Sequence, residues 1–374
     1  MDTLKAVNVL LEAMVERGAS DGFIMADAPL SIKVDGQLQA INDTRLTETD
    51  VGVLIRETMT VEQEAQFDAT RECNYAIVDS RLGRFRASAY VQRGRPGLVM
   101  RRISEQIPGF EELGLPKSLE KLAMLKRGLV ILVGATGTGK STTLASMLDY
   151  RNTHSQGHII TVEDPIEYVH QHKGCLVSQR EVGIDTESFE VALANTLRQA
   201  PDVIMIGEVR TAKTMETALA FAETGHLCLC TLHANNAYQA LDRVQSFFAA
   251  SQLNQIWMDL SLNLRAMVAQ QLLPSRSGGG RVPIVEVMLG SPLILDHIRK
   301  GEVHMIKEVI ARSTELGMQT FDQSLIEAYK AGLITAHDAE SHAESANDVR
   351  LAIKMFEKGG HSISGSSDFS LELG

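Results

Sequence analysis

The pattern at the start of the chain predicts one helix followed by short strands. Apolar residues recur at the spacing of one helix face: Leu4, Val7, Leu11 and Met14. Gly18 follows at the position where helices often end in a left-handed residue. Strand-like runs follow at Gly22–Met25, Ser31–Val34 and Gln37–Ile41. Asp35-Gly36 separates the last two, and this dipeptide predicts a two-residue hairpin turn.

A strict alternation of apolar and polar residues begins after Gly83. One face carries Phe85, Ala87, Ala89 and Val91, and the other carries Arg84, Arg86, Ser88 and Tyr90. A period of two is typical of a strand with one buried face. We therefore predict a small α+β domain with an antiparallel sheet over residues 1–110, and this strand presents two arginines together.

The pattern changes after Gly128 to short, wholly apolar runs that alternate with helical stretches. The runs are Leu129–Val133, His158–Val162, Val203–Ile206 and Leu227–Leu232. Such runs are typical of parallel strands buried on both faces, so residues 111–340 are predicted to form an α/β domain. Beyond about Trp257 we expect mostly helices. Residues 341–374 are predicted to form a C-terminal extension, with a Gly/Ser-rich mobile tail from about Gly359.

Composition and charge disfavour several classes of protein. The chain has 374 residues, is 44% hydrophobic and 22% charged, and carries a net charge of −11. The acidic balance argues against a nucleic-acid partner, because such proteins neutralise phosphates with Lys and Arg. Four cysteines form no CxxC pair, and Cys228 and Cys230 are expected in the core. No run of 18 apolar residues occurs, and the N-terminus lacks a secretory pattern, so we expect a cytoplasmic protein.

The segment GATGTGKS at residues 134–141 is a P-loop between an apolar strand and a helix that starts near Lys140. Its glycines let backbone N–H groups turn onto phosphate oxygens, and the helix N-terminus adds favourable partial charge. Lys140 is expected to reach the β- and γ-phosphates of ATP, and the Ser141 hydroxyl to bind Mg²⁺. The predicted nucleotide-binding residues are Gly134, Ala135, Thr136, Gly137, Thr138, Gly139, Lys140, Ser141 and Thr142.

Acidic residues and histidines follow the other apolar runs. Glu163 ends one strand, Glu208 follows the next, and His226 and His233 bracket the last. Glu208 is placed to hold Mg²⁺, directly or through water, and Glu163 to activate the attacking water. Either acid alone fits a cap or turn equally well, and the two roles could be exchanged. His233, at a strand end, could sense the γ-phosphate.

Phosphoryl transfer needs further positive charge near the phosphates. The pair Arg84 and Arg86 is the preferred source, because a small domain lying over the P-loop could deliver both.

At these residues the chain resembles the secretion-superfamily ATPases, and most closely the PilT/PilU retraction ATPases of type IV pili. The matching stretches are GATGTGKSTTLASM, ITVEDPIEYVH, LRQAPDVIMIGEVR and ETGHLCLCTLHANNA, within a resemblance that covers about residues 1–340. It implies a PAS-like N-terminal domain joined to a RecA-like ATPase domain in a hexameric ring that disassembles pili through an inner-membrane platform protein. It also implies that Glu163 is the catalytic base, that Glu208 is the Walker-B acid, that His226 and His233 help sense nucleotide, and that N-terminal arginines approach the phosphates.

Departures from the PilT pattern favour the PilU-like accessory branch of the family. The segment HIRKGE (His297–Glu302) replaces an AIRE-type motif, Gly22-Phe23 replaces a Leu-His pair, and Thr211 replaces an acid. Lys300 in that segment changes the surface charge offered to a partner, which mainly alters partner choice. A PilU-like role implies a sibling PilT-like ATPase as partner.

Two other functions stay open at this point. One is a RecA-like ATPase that translocates nucleic acid, which the acidic charge and scarce aromatic residues disfavour. The other is a nucleotide-binding adaptor without turnover, which the presence of Lys140, Glu163 and Glu208 disfavours.

Overall fold

The computed structural model describes residues 3–34, 36–104 and 106–360. The first part of the chain forms α1 (Thr3–Glu16), β1 (Asp21–Met25), β2 (Ser31–Val34), β3 (Gln37–Ala40), α2 (Glu48–Glu57), α3 (Val61–Thr70), β4 (Glu72–Asp79), β5 (Gly83–Gln92) and β6 (Arg95–Arg102). The middle forms α4 (Ser118–Ala123), β7 (Gly128–Val133), α5 (Lys140–His154), β8 (Gly157–Glu163), β9 (Cys175–Glu181), α6 (Phe189–Thr196), β10 (Val203–Ile206), α7 (Ala212–Glu223), β11 (Leu227–Leu232), α8 (Ala237–Gln245) and α9 (Leu253–Asn263). The last part forms β12 (Leu264–Pro274), β13 (Arg281–Leu289), α10 (Pro292–Lys300), α11 (Ile306–Arg312), α12 (Phe321–Lys330), α13 (Ala336–Ser341) and α14 (Ala346–Gly360).

These elements make up two compact units. Within the described residues, the first unit comprises the chain up to Ile107 together with Ile160–Lys173 and Val177–Asn195. The second comprises Pro108–Ile159, Gly174–Leu176 and the chain from Thr196 onward. The domain limits at residues 110 and 340 stay predictions. The tail predicted from Gly359 lies, from position 361, outside the described residues.

The first unit contains a six-stranded antiparallel sheet in the order β3-β2-β1-β6-β5-β4. In β5 the side chains of Phe85, Ala87 and Ala89 are buried, which confirms the alternation predicted there. Leu10 and Met14 of α1 belong to the same hydrophobic core. The hairpin is also confirmed, because Val34 pairs with Gln37 across two residues, of which Asp35 lies outside the described residues.

A second sheet has seven strands in the order β13-β12-β7-β11-β10-β8-β9. β7 pairs in parallel with β11 and β12, and β10 pairs in parallel with β11. Every residue of β7, β10 and β11 is buried, as their wholly apolar sequences predict. The predicted fold class, a parallel α/β ATPase sheet following an α+β domain, is confirmed, and Cys228 and Cys230 are buried in β11 as expected.

The expectation of mostly helices beyond Trp257 is wrong for residues 264–289. β12 and β13 form an antiparallel pair there, and helices resume only at Pro292. Both strands are mostly buried and are 11 and 9 residues long, so neither alternation nor length distinguishes their sequences from that of a buried helix. None of the helices in the described ranges combines the length and the hydropathy that a membrane-spanning segment needs.

Candidate nucleotide site and buried glutamate

The P-loop has the geometry that a phosphate cradle requires. β7 ends at Val133, and α5, 15 residues long, begins at Lys140. A Cβ at Gly134 would lie 2.5 Å from Thr138 Oγ1 and 2.7 Å from the carbonyl oxygen of Gln270. A Cβ at Gly139, where φ is +88°, would lie 2.7 Å from Gln270 Nε2. The backbone contact leaves no room for a side chain at Gly134, and the positive φ favours glycine at Gly139, so the tight turn that aims backbone N–H groups at an anion depends on glycine.

The other residues of the P-loop are mostly exposed, whereas Lys140 is buried. Ala135, Thr136 and Gly137 are exposed, as is Ser141 in the first turn of α5, whereas Thr138 and Thr142 are half-buried. Lys140 is buried, and its Nζ donates hydrogen bonds of 2.7 Å to the carbonyl oxygens of Gly134 and Ala135. Burial lowers the pKa of Lys140, and the charge of Glu208 opposes that effect. The ammonium therefore lies at the floor of the loop with a carboxylate in its field.

Glu208, Arg210 and His233 form a second group in the same unit. Glu208 follows β10, and its carboxylate lies 2.6 Å from Arg210 Nη2 and 3.1 Å from Nε2 of His233, which follows β11. Thr231 Oγ1 donates a 2.5 Å hydrogen bond to the carbonyl oxygen of Gly207, and this bond ties the ends of the two strands together. The predicted Walker-B acid and the predicted phosphate sensor are therefore in direct contact.

His226 lies at the opposite end of β11 from His233. Its carbonyl oxygen accepts from the N–H of Gly128, where β7 begins, and its Nδ1 lies 3.1 Å from Thr224 Oγ1. Six strand residues separate the two histidines, a span of about 20 Å. A part for His226 in sensing nucleotide stays a prediction.

Glu163 belongs to the other unit, at the end of β8, and is buried. Its Oε1 accepts hydrogen bonds from Thr161 Oγ1 at 2.6 Å and from Gln179 Nε2 at 3.1 Å. Burial raises the pKa of Glu163 to about 7, the two hydrogen bonds lower it, and the charges of Glu167 and Glu181 add to the rise. A carboxylate that titrates near neutral pH is suited to accept a proton.

Arg84 and Arg86 lie on β5 in the same unit as Glu163. Arg84 Nη2 lies 3.5 Å from Oε2 of Glu181, a buried residue of β9. Arg86 stands opposite Arg101 in the antiparallel sheet and lines a cavity of about 200 Å³ with Asp164 and Glu181. Carboxylates already lie close to both of these arginines, because Arg101 Nε donates a 2.8 Å hydrogen bond to Asp21 Oδ1 and the charge of Arg86 acts on Glu181.

Gln179, Glu181 and Gln270 are the residues that sequence reasoning missed. Gln179 and Glu181 lie on β9, a strand not predicted because its second half, SQRE, is polar. Gln270 lies on β12, where helices were expected, and its side chain accepts a 2.7 Å hydrogen bond from Thr143 Oγ1. The signal in β9 was the placement of its polar residues two apart, at the spacing of one strand face. No group of three or more His, Cys, Asp or Glu side chains that could hold a metal ion occurs in the described ranges.

Known proteins resemble this chain over most of its length. Residues 3–281 match the family described as Type II/IV secretion system protein. The type IV pilus ATPase PilU of Pseudomonas aeruginosa is 60% identical over 346 residues, which cover 92% of this chain and 91% of that protein. The type IV pilus retraction ATPase PilT of the same organism is 40% identical over 338 residues, which cover 90% of this chain and 98% of that protein. A crystal structure of the pilus retraction motor PilT with bound ADP superposes with a TM-score of 0.85 at 40% identity, and covers 91% of this chain and 98% of that one.

Proposed function

Because the chain belongs to the Type II/IV secretion system protein family, and within it to the type IV pilus ATPases, we propose that it is the PilU-like member of a retraction apparatus. As a member of this group it is an ATPase with a nucleotide-binding P-loop. The observation that carries the finer assignment is the difference in identity, 60% to PilU against 40% to PilT over nearly equal parts of the chain.

We propose that the P-loop holds the phosphates of ATP. Backbone N–H groups of residues 134–142 and the N-terminus of α5 meet the β- and γ-phosphate oxygens. Lys140 then exchanges its two carbonyl acceptors for phosphate oxygens, because a buried ammonium pairs more strongly with an anion than with a neutral carbonyl.

The Ser141 hydroxyl, exposed in the first turn of α5, and the Glu208 carboxylate would hold a magnesium ion, Glu208 through water because Arg210 and His233 already contact its oxygens. Hydroxyl and carboxylate oxygens are the ligands Mg²⁺ prefers. When bound, the ion supplies positive charge to the phosphate oxygens. His233 contacts Glu208, so a change at the γ-phosphate that moves this carboxylate also moves the histidine.

Glu163 is the proposed general base. A water oxygen forms a bond to the γ-phosphorus while the bond from phosphorus to the β,γ-bridging oxygen breaks, and the water proton passes to the Glu163 carboxylate. The burial of Glu163 and its pKa of about 7 support this role. Arg84 and Arg86 are proposed to stabilise the charge that develops on the phosphate oxygens in a shared site of a homo-hexamer.

The ring is proposed to act in the cytoplasm, at the inner-membrane platform protein of the pilus, together with a sibling PilT-like ATPase.

The segment HIRKGE presents less unpaired positive charge than its sequence suggests. Lys300 Nζ lies 2.6 Å from Asp296 Oδ2 and Arg299 Nη2 lies 2.6 Å from Asp296 Oδ1, so α10 partly neutralises both cations. A partner that binds this surface would therefore contact Arg299 and Lys300 already paired with Asp296.

Deletion of the gene in cells that keep a PilT-like sibling tests the role. We expect pilus retraction to weaken, and the wild-type chain but not Lys140→Ala to restore it. Normal retraction without this chain would contradict an accessory motor. Stimulation of its ATPase by single-stranded DNA would instead favour a nucleic-acid motor.

A further inference from the structure

The two hydrogen bonds on Glu163 converge on one of its carboxylate oxygens. Thr161 Oγ1 and Gln179 Nε2 both donate to Oε1. Thr161 is two residues before Glu163 on β8, so its side chain extends from the same side of the strand. Two donors to one oxygen restrict rotation of the carboxylate and leave the lone pairs of Oε2 available as acceptors.

The amide of Gln179 is itself fixed by two backbone groups of the segment that follows β8. Its Oε1 accepts a 2.8 Å hydrogen bond from the N–H of His170, and its Nε2 donates at 2.9 Å to the carbonyl oxygen of Tyr168. An N–H group can only face the amide oxygen, and a carbonyl can only face the amide nitrogen. The NH₂ group must therefore be the one that faces Glu163.

We propose that Gln179 is a positioning residue for hydrolysis, which holds Glu163 with Oε1 occupied and Oε2 directed to the attacking water. This inference rests on the proposed role of Glu163 as general base. A base that must reach a water at hydrogen-bond distance loses rate when its carboxylate can rotate freely. Thr161 also helps to hold the Glu163 carboxylate, because its hydroxyl donates to the same oxygen, Oε1.

The charged groups around Glu163 determine how its titration should respond. Glu167 and Glu181 raise the pKa of Glu163, and Glu181 is itself paired with Arg84 and lies in the field of Arg86. Gln179 and Thr161 are the hydrogen-bond donors that lower it. Removal of the Gln179 amide leaves those acids in place and removes one of the groups that favour the ionised base.

The test is the pH dependence of steady-state ATP hydrolysis by the full-length protein for Gln179→Leu and Thr161→Val. We expect Gln179→Leu to lower kcat at pH 7 by about tenfold, the scale of one hydrogen bond to a charged group. Its acid limb should move to higher pH by about one unit, with KM for ATP within about twofold of wild type. Thr161→Val should move the limb in the same direction. Ser178→Ala, on the exposed face of β9, is the matched control and should change neither quantity.

The results for these variants distinguish the positioning role of Gln179 from the assignment of Glu163 as the general base. If Glu163→Gln retains turnover, the base is another group and the proposed mechanism fails. If Glu163→Gln is inactive while Gln179→Leu and Thr161→Val keep the wild-type pH profile, only the positioning role is overturned. If Gln179→Leu fails to fold, Thr161→Val still tests the proposal, because it removes the other hydrogen bond to Glu163 Oε1. A loss of thermal stability with an unmoved acid limb in both variants also overturns it.

Discussion

The guanidinium of Arg84 lies 3.5 Å from the buried carboxylate of Glu181, which joins β5 to β9 within the first unit. Burial raises the pKa of Glu181, and Arg84, followed by the N–H of Ile166 and by Arg86, opposes that rise. The arginine proposed for the transition state thus already has a partner, and its charge helps to keep a buried acid ionised.

Arg84→Ala should therefore affect both turnover and stability. We expect kcat to fall by about tenfold or more, with nucleotide affinity little changed, because the arginine acts mainly on charge developed in the transition state. Arg84→Lys, which keeps the charge, is the control. Equal losses in affinity and turnover, measured by nucleotide titration and steady-state kinetics, would contradict a transition-state role.

The stability effect of Arg84→Ala should grow with pH. Without Arg84 the folded-state pKa of Glu181 rises further, so the folded protein binds a proton that the unfolded chain releases as pH passes the ordinary glutamate value of 4.5. Stability is then lost as pH rises from there to the folded pKa. Thermal melts should show a larger decrease in Tm at pH 8 than at pH 5, and Glu181→Gln in the same chain should remove the difference. A pH-independent decrease would rule out this linkage.

Glu163 predicts the pH profile of the wild-type enzyme. Since a general base must be ionised and the pKa of Glu163 is about 7, kcat should be near its plateau at pH 8. Below pH 7 it should fall about tenfold per unit as the carboxylate protonates. Glu163→Gln should still bind ATP and lose about 100-fold or more in kcat. If Glu208→Gln is inactive while Glu163→Gln hydrolyses normally, the two acids have exchanged roles.

Glu286 should also make the stability of the folded protein depend on pH. This buried residue of β13 accepts a 2.8 Å hydrogen bond from the N–H of Ala237, and burial raises its pKa to about 7. Glu344 and Asp322 add to the rise and Lys307 opposes it. The folded state therefore favours the protonated acid, and stability should be lost as pH rises from 4.5 to 7, by at most about 3 kcal/mol.

Glu286→Gln should flatten that dependence, because an amide oxygen can still accept from Ala237 without a charge. Urea unfolding at pH 5 and pH 8 measures it, and Glu327→Gln on the exposed face of α12 is the control. A dependence that persists unchanged in Glu286→Gln would assign it to other groups.

Lys300→Glu tests the proposed partner surface. It breaks the ion pair with Asp296 and places two acids one helical turn apart, which should weaken co-purification with a PilT-like ATPase. ATP hydrolysis should be unchanged, since α10 contributes none of the proposed catalytic groups. Lys330→Glu, which breaks a comparable pair with Glu327, is the control. Unchanged binding by Lys300→Glu would exclude this surface from the partnership.

The sequence predicted the strands that either alternate strictly between apolar and polar residues or form a short apolar run between turns. β5 alternates strictly, and β7, β10 and β11 are short apolar runs between turns, so strands and the residues at their ends could be located. β12 and β13 are mostly buried and are 11 and 9 residues long, so they could not be distinguished from buried helices by alternation or by length. The contacts of Gln179 and Glu181 could not be predicted from the sequence. They join β9 to β8 and to β5, and contacts between residues far apart in the chain leave no pattern in the local sequence.

Hydrolysis of ATP by Lys140→Ala tests the central claim most directly. Purified wild-type protein with Mg²⁺ should turn over ATP, whereas Lys140→Ala should lose hydrolysis and bind nucleotide more weakly, because it removes the cation that meets the γ-phosphate. Lys126→Ala, at an exposed lysine just before β7, should behave as wild type. Wild-type rates from Lys140→Ala would show that the P-loop is not the site of hydrolysis.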